Sequence, residues 1–287
     1  MALSCETFGV SIRCIDSTHT ERGATPGSHG LLTEVRPRDP RSYTDGVSTT
    51  RLTELWVCRL GLVEYREALA LQERVRAARQ ADALPDTLLL LEHPRVYTRG
   101  RRSSAGELPL GEDFYRERGI DIVDVDRGGK LTYHGPGQLV GYPIMRIVDV
   151  IVYLRQIEAA IVATLADGGL AARGRPEDGP DYTGVWTGDR KVASIGVHVS
   201  RGVTTHGFAI NVDNDLEPFA WVVPCGLDGV SMTSVARERG GPGEPTVAAI
   251  AGRVAIHLAK AFERRAIEIT PADLETALQE SGIEQPT

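Results

Sequence analysis

The chain has 287 residues, of which 41% are hydrophobic and 25% charged, and its formal net charge is −7. That is the balance of an ordinary globular protein, and the acidic charge argues against a nucleic-acid binder held by bulk electrostatics. No apolar run reaches the ~18 residues a membrane span needs; the longest, "IVDVIVYL", is interrupted by Asp149.

"MALSCETFGV" lacks a basic region followed by an apolar core, so no secretion signal is expected and the predicted location is the cytoplasm. Residues 1–52 are rich in Ser, Thr, Arg, Gly and Pro without sustained periodicity. They read as a disordered N-terminal extension carrying no chemistry, or as a stretch upstream of the true start. From Leu55 the pattern tightens. "ELWVCRLG" predicts a strand, and "VEYREALALQERVRAARQ" a helix with Ala68, Leu71, Val75 and Ala78 on its inner face. "DTLLLLEHP" predicts a buried strand stopped by Pro94. "GIDIVDVDRGG", "KLTYHG" and "QLVGYPIM" predict three more strands. A helix follows from about Asp149 to Asp167, with Val150, Leu154, Ile157, Ile161 and Leu165 inward and Gly168-Gly169 ending it. "YTGVWTGDRKVASIGVHVSRGVTTHGFAINVD" predicts three antiparallel strands joined at "TGD" and "SRGV". A long helix is expected from about Thr246 to Arg265, packing through Val247, Ile250, Val254, Leu258 and Ala261. Thr270 and Pro271 then stand as N-cap and first residue of a last helix. Strands cluster as hairpins with helices between the clusters. The expected fold is therefore α+β, with residues 53–287 as one domain built on a mixed or antiparallel sheet packed by helices.

Three stretches carry candidate chemistry. "RGGKLTYHGPGQLVGYPI", Arg127–Ile144, exposes backbone amides through its glycines, with His134 and Gln138 placed to orient a ligand. It equally suits a glycine-rich hairpin with a satisfied histidine. No G-K-[ST] follows, so it is not a phosphate-binding P-loop. In "KVASIGVHVSRGVTTHGFAINV", Lys191 shares parity with Ala193, Ile195, Val197 and Val199. Its ammonium would point to their side, where burial favours the neutral, basic form; the alternative is a strand-start lysine in water. In "WVVPCGLDGVSM", Cys225 sits between Pro224 and Gly226. A reactive thiol on a fixed turn and an inert buried one both remain open. A thiol of pKa ~8.5 needs a neighbouring base or cation to act as nucleophile, with His134, His206 and Lys191 as candidates. The four cysteines, Cys5, Cys14, Cys58 and Cys225, include no C-x-x-C pair, so no metal site is expected.

Taken in order, these three stretches resemble the lipoyl(octanoyl) transferases over about Leu55 to Phe262. The resemblance implies the fold shared by lipoate– and biotin–protein ligases. It also implies transfer of an octanoyl group from acyl carrier protein to a lysine of a lipoyl domain, as the first step of endogenous lipoate synthesis. Cys225 matches the family's acyl-thioester nucleophile, and Lys191 the lysine that lowers the pKa of that thiol and acts as general base. The acyl-binding segments correspond to Arg127, Gly128, Gly129, Lys130, Leu131, Thr132, Tyr133 and His134; to Ser194, Ile195 and Gly196; and to Gly207, Phe208 and Ala209. Val223 and Leu227 depart from the commoner asparagine and aromatic. The implied partners are acyl carrier protein as donor and, as acceptors, lipoyl domains of 2-oxoacid dehydrogenases and the glycine cleavage H protein. No metal, ATP or other cofactor is implied. An ATP-dependent lipoate–protein ligase on the same fold is the alternative. Finally, Arg95, Arg99, Arg101 and Arg102 form a basic stretch that suits an acidic partner, unless neighbouring carboxylates such as Glu107 or Glu112 neutralise it.

Overall fold

The computed structural model describes residues 53–222, 230–240 and 246–283. Strands are β1 Thr53–Leu62, β2 Asp86–Glu92, β3 Val96–Arg99, β4 Asp121–Asp124, β5 Thr132–His134, β6 Gln138–Ile144, β7 Gly184–Thr187, β8 Arg190–Ser200, β9 Val203–Asn211, β10 Ser231–Met232 and β11 Arg264–Ile269. Helices are α1 Tyr65–Gln80, α2 Glu112–Arg116, α3 Val150–Asp167, α4 Glu217–Ala220, α5 Val235–Arg239, α6 Val247–Ala261 and α7 Pro271–Glu280.

The large sheet runs β10-β8-β9-β6-β2-β1-β11, with β7 paired to β8, and a three-stranded sheet runs β4-β3-β5. Pairing is antiparallel from β2 through β6 and β9 to β8, and parallel where β1 joins β2 and β11. The fold is thus α+β with mixed sheets. Period-two alternation divides the side chains of the large sheet. Leu88 and Leu90 join α3 and α6 in one core, while Leu89 and Leu91 join α1 and α7 in another. This double burial explains why β2 reads as an uninterrupted apolar run. A third cluster, around Tyr97, Tyr115, Tyr133 and Phe219, lies against the small sheet.

Three details differ from expectation. Val150 is 39% exposed and Tyr153 takes the inward place, because the first turn of α3 extends past the core. The helix begun by Thr246 stops at Ala261, and Glu263, at φ 53, turns the chain into β11. That strand's mostly half-exposed or exposed residues carry little apolar alternation to read. Strand β3 also forms within the basic stretch, where it pairs with β4 and β5. Thr270 and Asp273 form a reciprocal capping box at α7. Thr270→Ala is expected to lower stability by about 1 kcal/mol in urea denaturation.

Candidate active site

The segment between β4 and β5 roofs a cavity, and Arg127 holds that roof in shape. Its buried guanidinium donates to Thr98 O and Oγ1 (2.7 Å each), to Lys130 O (2.8 Å) and to Gly128 O (3.1 Å). The neighbouring strand end donates back, Arg101 N–H to Arg127 O and Arg102 N–H to Gly129 O, both at 3.1 Å. Gly128 N–H then bonds Val197 O on β8 at 2.9 Å. Roof and strand meet backbone to backbone. A Cβ on Gly196 would stand 3.0 Å from Gly128 O, so the close approach requires glycine there.

The cavity beneath measures about 290 Å³, near the small end of ligand sites. Every residue assigned above to acyl binding lines it except Tyr133, and Lys191 lines it too. In β5, Thr132 and His134 face the cavity, so alternation sends Tyr133 to the opposite side. There its ring meets those of Tyr97 and Phe219 at 5.5 and 5.4 Å. Further lining comes from Tyr65 on α1, Val140 and Tyr142 on β6, Val150 and Leu154 on α3, and Asp181 and Thr183 ahead of β7. In the sequence Val150 and Leu154 look like core positions; only the tertiary arrangement turns them to the cavity.

Histidines supply the polar part of the wall. His206 takes φ 56, uncommon for a non-glycine residue. Its N–H donates to Gln72 Oε1 at 2.7 Å, and its Nε2 meets Asp126 Oδ1 at 2.7 Å. The hydrogen bond from His206 holds the Asp126 carboxyl down at about 2, and burial keeps His206 below the usual histidine value. An ionised Asp126 makes Nε2 the protonated nitrogen and leaves Nδ1 to accept from Tyr65 OH, 3.5 Å away. His134 is set by a directed chain. Asn211 Nδ2 donates to Thr233 O, Gln138 Nε2 donates to Asn211 Oδ1, and Gln138 Oε1 therefore accepts from His134 Nδ1 at 2.7 Å. Burial pushes His134 down to about 3 and the neighbouring His93 down to about 4.

Lys191 is 2% exposed. Strict alternation would turn it toward Ala193, but β8 bulges here. Val185 pairs with Ala193 while Trp186 pairs with Lys191, so Val192 is the extra residue. The lysine chain instead crosses Gly184, the partner of Ser194, and so shares the Ser194 side of the sheet. Its Nζ stands 5.2 Å from the centre of the Trp186 ring. Its backbone is paired on both sides, with Trp186 and with Met232 of β10.

The family model for the lipoyl protein ligase A/B catalytic domain matches residues 64–259. The chain is 50% identical over 173 residues to an octanoyltransferase of Solibacter usitatus, covering 59% of this chain and 77% of that protein. It is 48% identical over 201 residues to an octanoyltransferase of Mycobacterium tuberculosis, covering 68% and 82%. This chain belongs to the octanoyltransferase family. It is accordingly an acyltransferase. Solved structures share its fold: lipoate-protein ligase A bound with ATP, at TM-score 0.62 and 20% identity, covers 80% of this chain and 97% of its own. A bi-partite lipoate protein ligase from Thermoplasma acidophilum has TM-score 0.62 at 17% identity, covering 82% and 94%.

For this octanoyltransferase-family chain, Cys225 and the extension 1–52 lie outside the described residues. Cys58 is fully buried, and burial pushes its thiol up to about 11, which makes it unreactive. The basic stretch is largely neutralised. Arg95 pairs with Asp215 (3.6 Å), Arg99 with Glu112 and Asp124 (2.6 Å each), and Arg102 with Asp181 (2.8 Å). Three of the four arginines of this stretch are thus engaged with carboxylates. Among the described residues, no helix is long and apolar enough to cross a membrane, and no cluster of His, Cys, Asp or Glu suits a metal ion.

The buried histidines set an acid limit on the fold. Their folded pKa values lie below the ~6.5 of an unfolded chain, so their contribution to stability is present above about pH 6.5. It is lost as acid drives the unfolded state to bind protons that the fold does not, down through about 4 for His93 and about 3 for His134. Urea midpoints should fall steadily from pH 7 to pH 5, and His134→Gln should flatten that slope. An equal slope in the variant would mean other groups carry it.

Proposed function

We propose that this chain moves an octanoyl group from the phosphopantetheine thioester of acyl carrier protein to a lysine of a lipoyl domain, through a thioester on Cys225. The observation that carries this reading is the placement of Lys191. It is buried in the wall of the acyl-sized cavity, and its pairing partner Met232 belongs to the strand that follows the Pro224-Cys225-Gly226 sequence. Cys225 stands six residues before Ser231 in the sequence.

In the first step Lys191 accepts the thiol proton of Cys225, and the thiolate attacks the octanoyl carbonyl. The carrier's sulfur leaves and takes that proton from Lys191, which is neutral again for the second step. One thioester replaces another, so the step is close to balanced and needs no ATP or other cofactor. In the second step the amine of the lipoyl-domain lysine attacks the acyl-enzyme. Lys191 accepts a proton from the amine, and Cys225 leaves as thiolate. An amide replaces a thioester, which drives the step forward. Backbone amides near Ser194–Gly196 are candidates to hold the oxyanion. Apolar Val140, Tyr142, Phe208 and Leu154 offer the acyl chain a surface to bury against. His93 and His134, kept neutral, add no charge beside it.

Mixing the protein with octanoyl–acyl carrier protein should raise its intact mass by one octanoyl group, removable by hydroxylamine and absent in Cys225→Ser. Transfer at the normal rate by Cys225→Ser would refute the thioester route. Lys191→Arg keeps a cation that cannot give up its proton near neutral pH. Its turnover should drop on the order of a hundredfold, within the usual worth of general acid–base catalysis. Near-normal turnover would reduce Lys191 to an electrostatic helper. Transfer from free octanoate with ATP would instead mark an adenylating ligase.

A further inference from the structure

We propose that Trp186 and Gly184 are positioning residues for acyl transfer: together they form a seat that positions the side-chain nitrogen of Lys191. Trp186 acts through the face of its ring and Gly184 through the side chain it lacks. The proposal rests on the role given above to Lys191.

Trp186 is fully buried, yet it is flanked by cations as well as by apolar groups. Lys191 Nζ lies 5.2 Å from the ring centre and the guanidinium carbon of Arg175 lies 4.8 Å from it, both within cation–π range. The ring is itself immobilised. Its indole N–H donates to Tyr182 O at 3.0 Å, and its backbone exchanges two 2.8 Å hydrogen bonds with Arg173. The pairing of Trp186 with Lys191 fixes the two backbones in register, and the bulge at Val192 turns the lysine side chain to its side of the sheet.

Gly184 supplies the remaining wall. At φ +142 it takes a backbone conformation that L side chains rarely adopt. A Cβ there would stand 2.4 Å from Ala193 O, 2.6 Å from Lys191 Cε and 3.4 Å from Nζ, so a side chain would press on the paired strand as well as displace the lysine. The glycine is tied down from behind: its N–H donates to Glu158 Oε1 at 3.0 Å. Glu158 is 4% exposed and is held on α3 by its ion pair with Arg155. A flexible four-carbon stem is thereby reduced to one path, along a glycine and over an indole. General acid–base chemistry needs that restriction, because the amine has to stay within hydrogen-bond reach of the atom whose proton it takes.

The test keeps the fold intact by changing the ring's electrons instead of its shape. Trp56 and Trp221 are replaced by Phe, leaving Trp186 as the single tryptophan of the chain. The protein is then produced with tryptophan bearing one to four ring fluorines, which progressively removes the negative potential of the ring face. Turnover is measured with a small octanoyl thioester and a lipoyl domain. The expected result is a stepwise fall in kcat reaching on the order of tenfold, the worth of a desolvated cation–π contact, with KM for the thioester changed less than about twofold. In a Lys191→Ala background fluorination should have no effect. Gly184→Ala should lower kcat in the same selective way. If that variant fails to fold, the fluorine series decides alone.

A kcat indifferent to fluorination in a protein whose Lys191→Ala variant is severely impaired would overturn the seat and leave the catalytic reading standing. An equal fluorine effect with and without Lys191 would assign Trp186 to packing and also overturn it. Near-normal activity of Lys191→Ala would remove the catalytic reading and the seat with it.

Discussion

Placing an amine inside a protein at 2% exposure is the constraint around which this molecule is arranged. An ammonium loses most of its hydration on burial, and such a group persists only where its surroundings compensate. Here the compensation begins in the backbone. Lys191 is paired with Trp186 on one side and with Met232 on the other, and its own carbonyl accepts from Thr233 N–H at 2.9 Å. Its main chain has no freedom to carry the side chain out to water. The bulge at Val192 then selects the side of the sheet, and the face of Trp186 gives the charge a polarisable neighbour. Position and electrostatics are set by the same few residues of β7 and β8.

The roof answers a different requirement. A glycine-rich segment gains close approach at the cost of conformational entropy, and something must hold it to one shape. Arg127 does this from within, because its fork of donors reaches carbonyls of its own segment and of Thr98 at once. A lysine could not span those acceptors. The arginine that lines the cavity is therefore occupied in building it.

Much of this was legible in the sequence because it depends on local rules. The strands of the large sheet's centre, the cap of α7, and the hairpin from β7 to β9 follow from periodicity and turn residues. Two of the three motifs, Arg127–Ile144 and Lys191–Val212, supply residues to the cavity, and both were visible as glycine-rich or oddly placed polar stretches. What escaped depends on nonlocal facts. Tyr133 sits inside a motif but faces away, since alternation within β5 decides its side. Lys191 was placed on the Ala193 side by counting residues in twos, and a one-residue bulge reverses that count. The four arginines from Arg95 to Arg102 read as a basic patch because carboxylate partners of three of them, Asp124, Asp181 and Asp215, come from distant segments. Only Glu112 lay close enough in sequence to suggest the pairing that Arg99 makes.

The polar groups of the cavity are divided by charge, and that division bears on what it can hold. Lys191 and Arg127 are its buried basic side chains. The histidines beside the aromatic wall are driven neutral, and each is given a single tautomer by a fixed acceptor: Asp126 for His206, Gln138 for His134, and Val63 O for His93 at 2.7 Å. A wall of protonated histidines would repel an alkyl chain by retaining water. Neutral imidazoles already hydrogen-bonded within the protein hold water less strongly. The same network that orients the rings therefore lets a surface rich in nitrogen and hydroxyl groups stand next to an aliphatic one. Acid reverses this, because a proton on His93 or His134 would have to be carried in a buried site that disfavours the charged form.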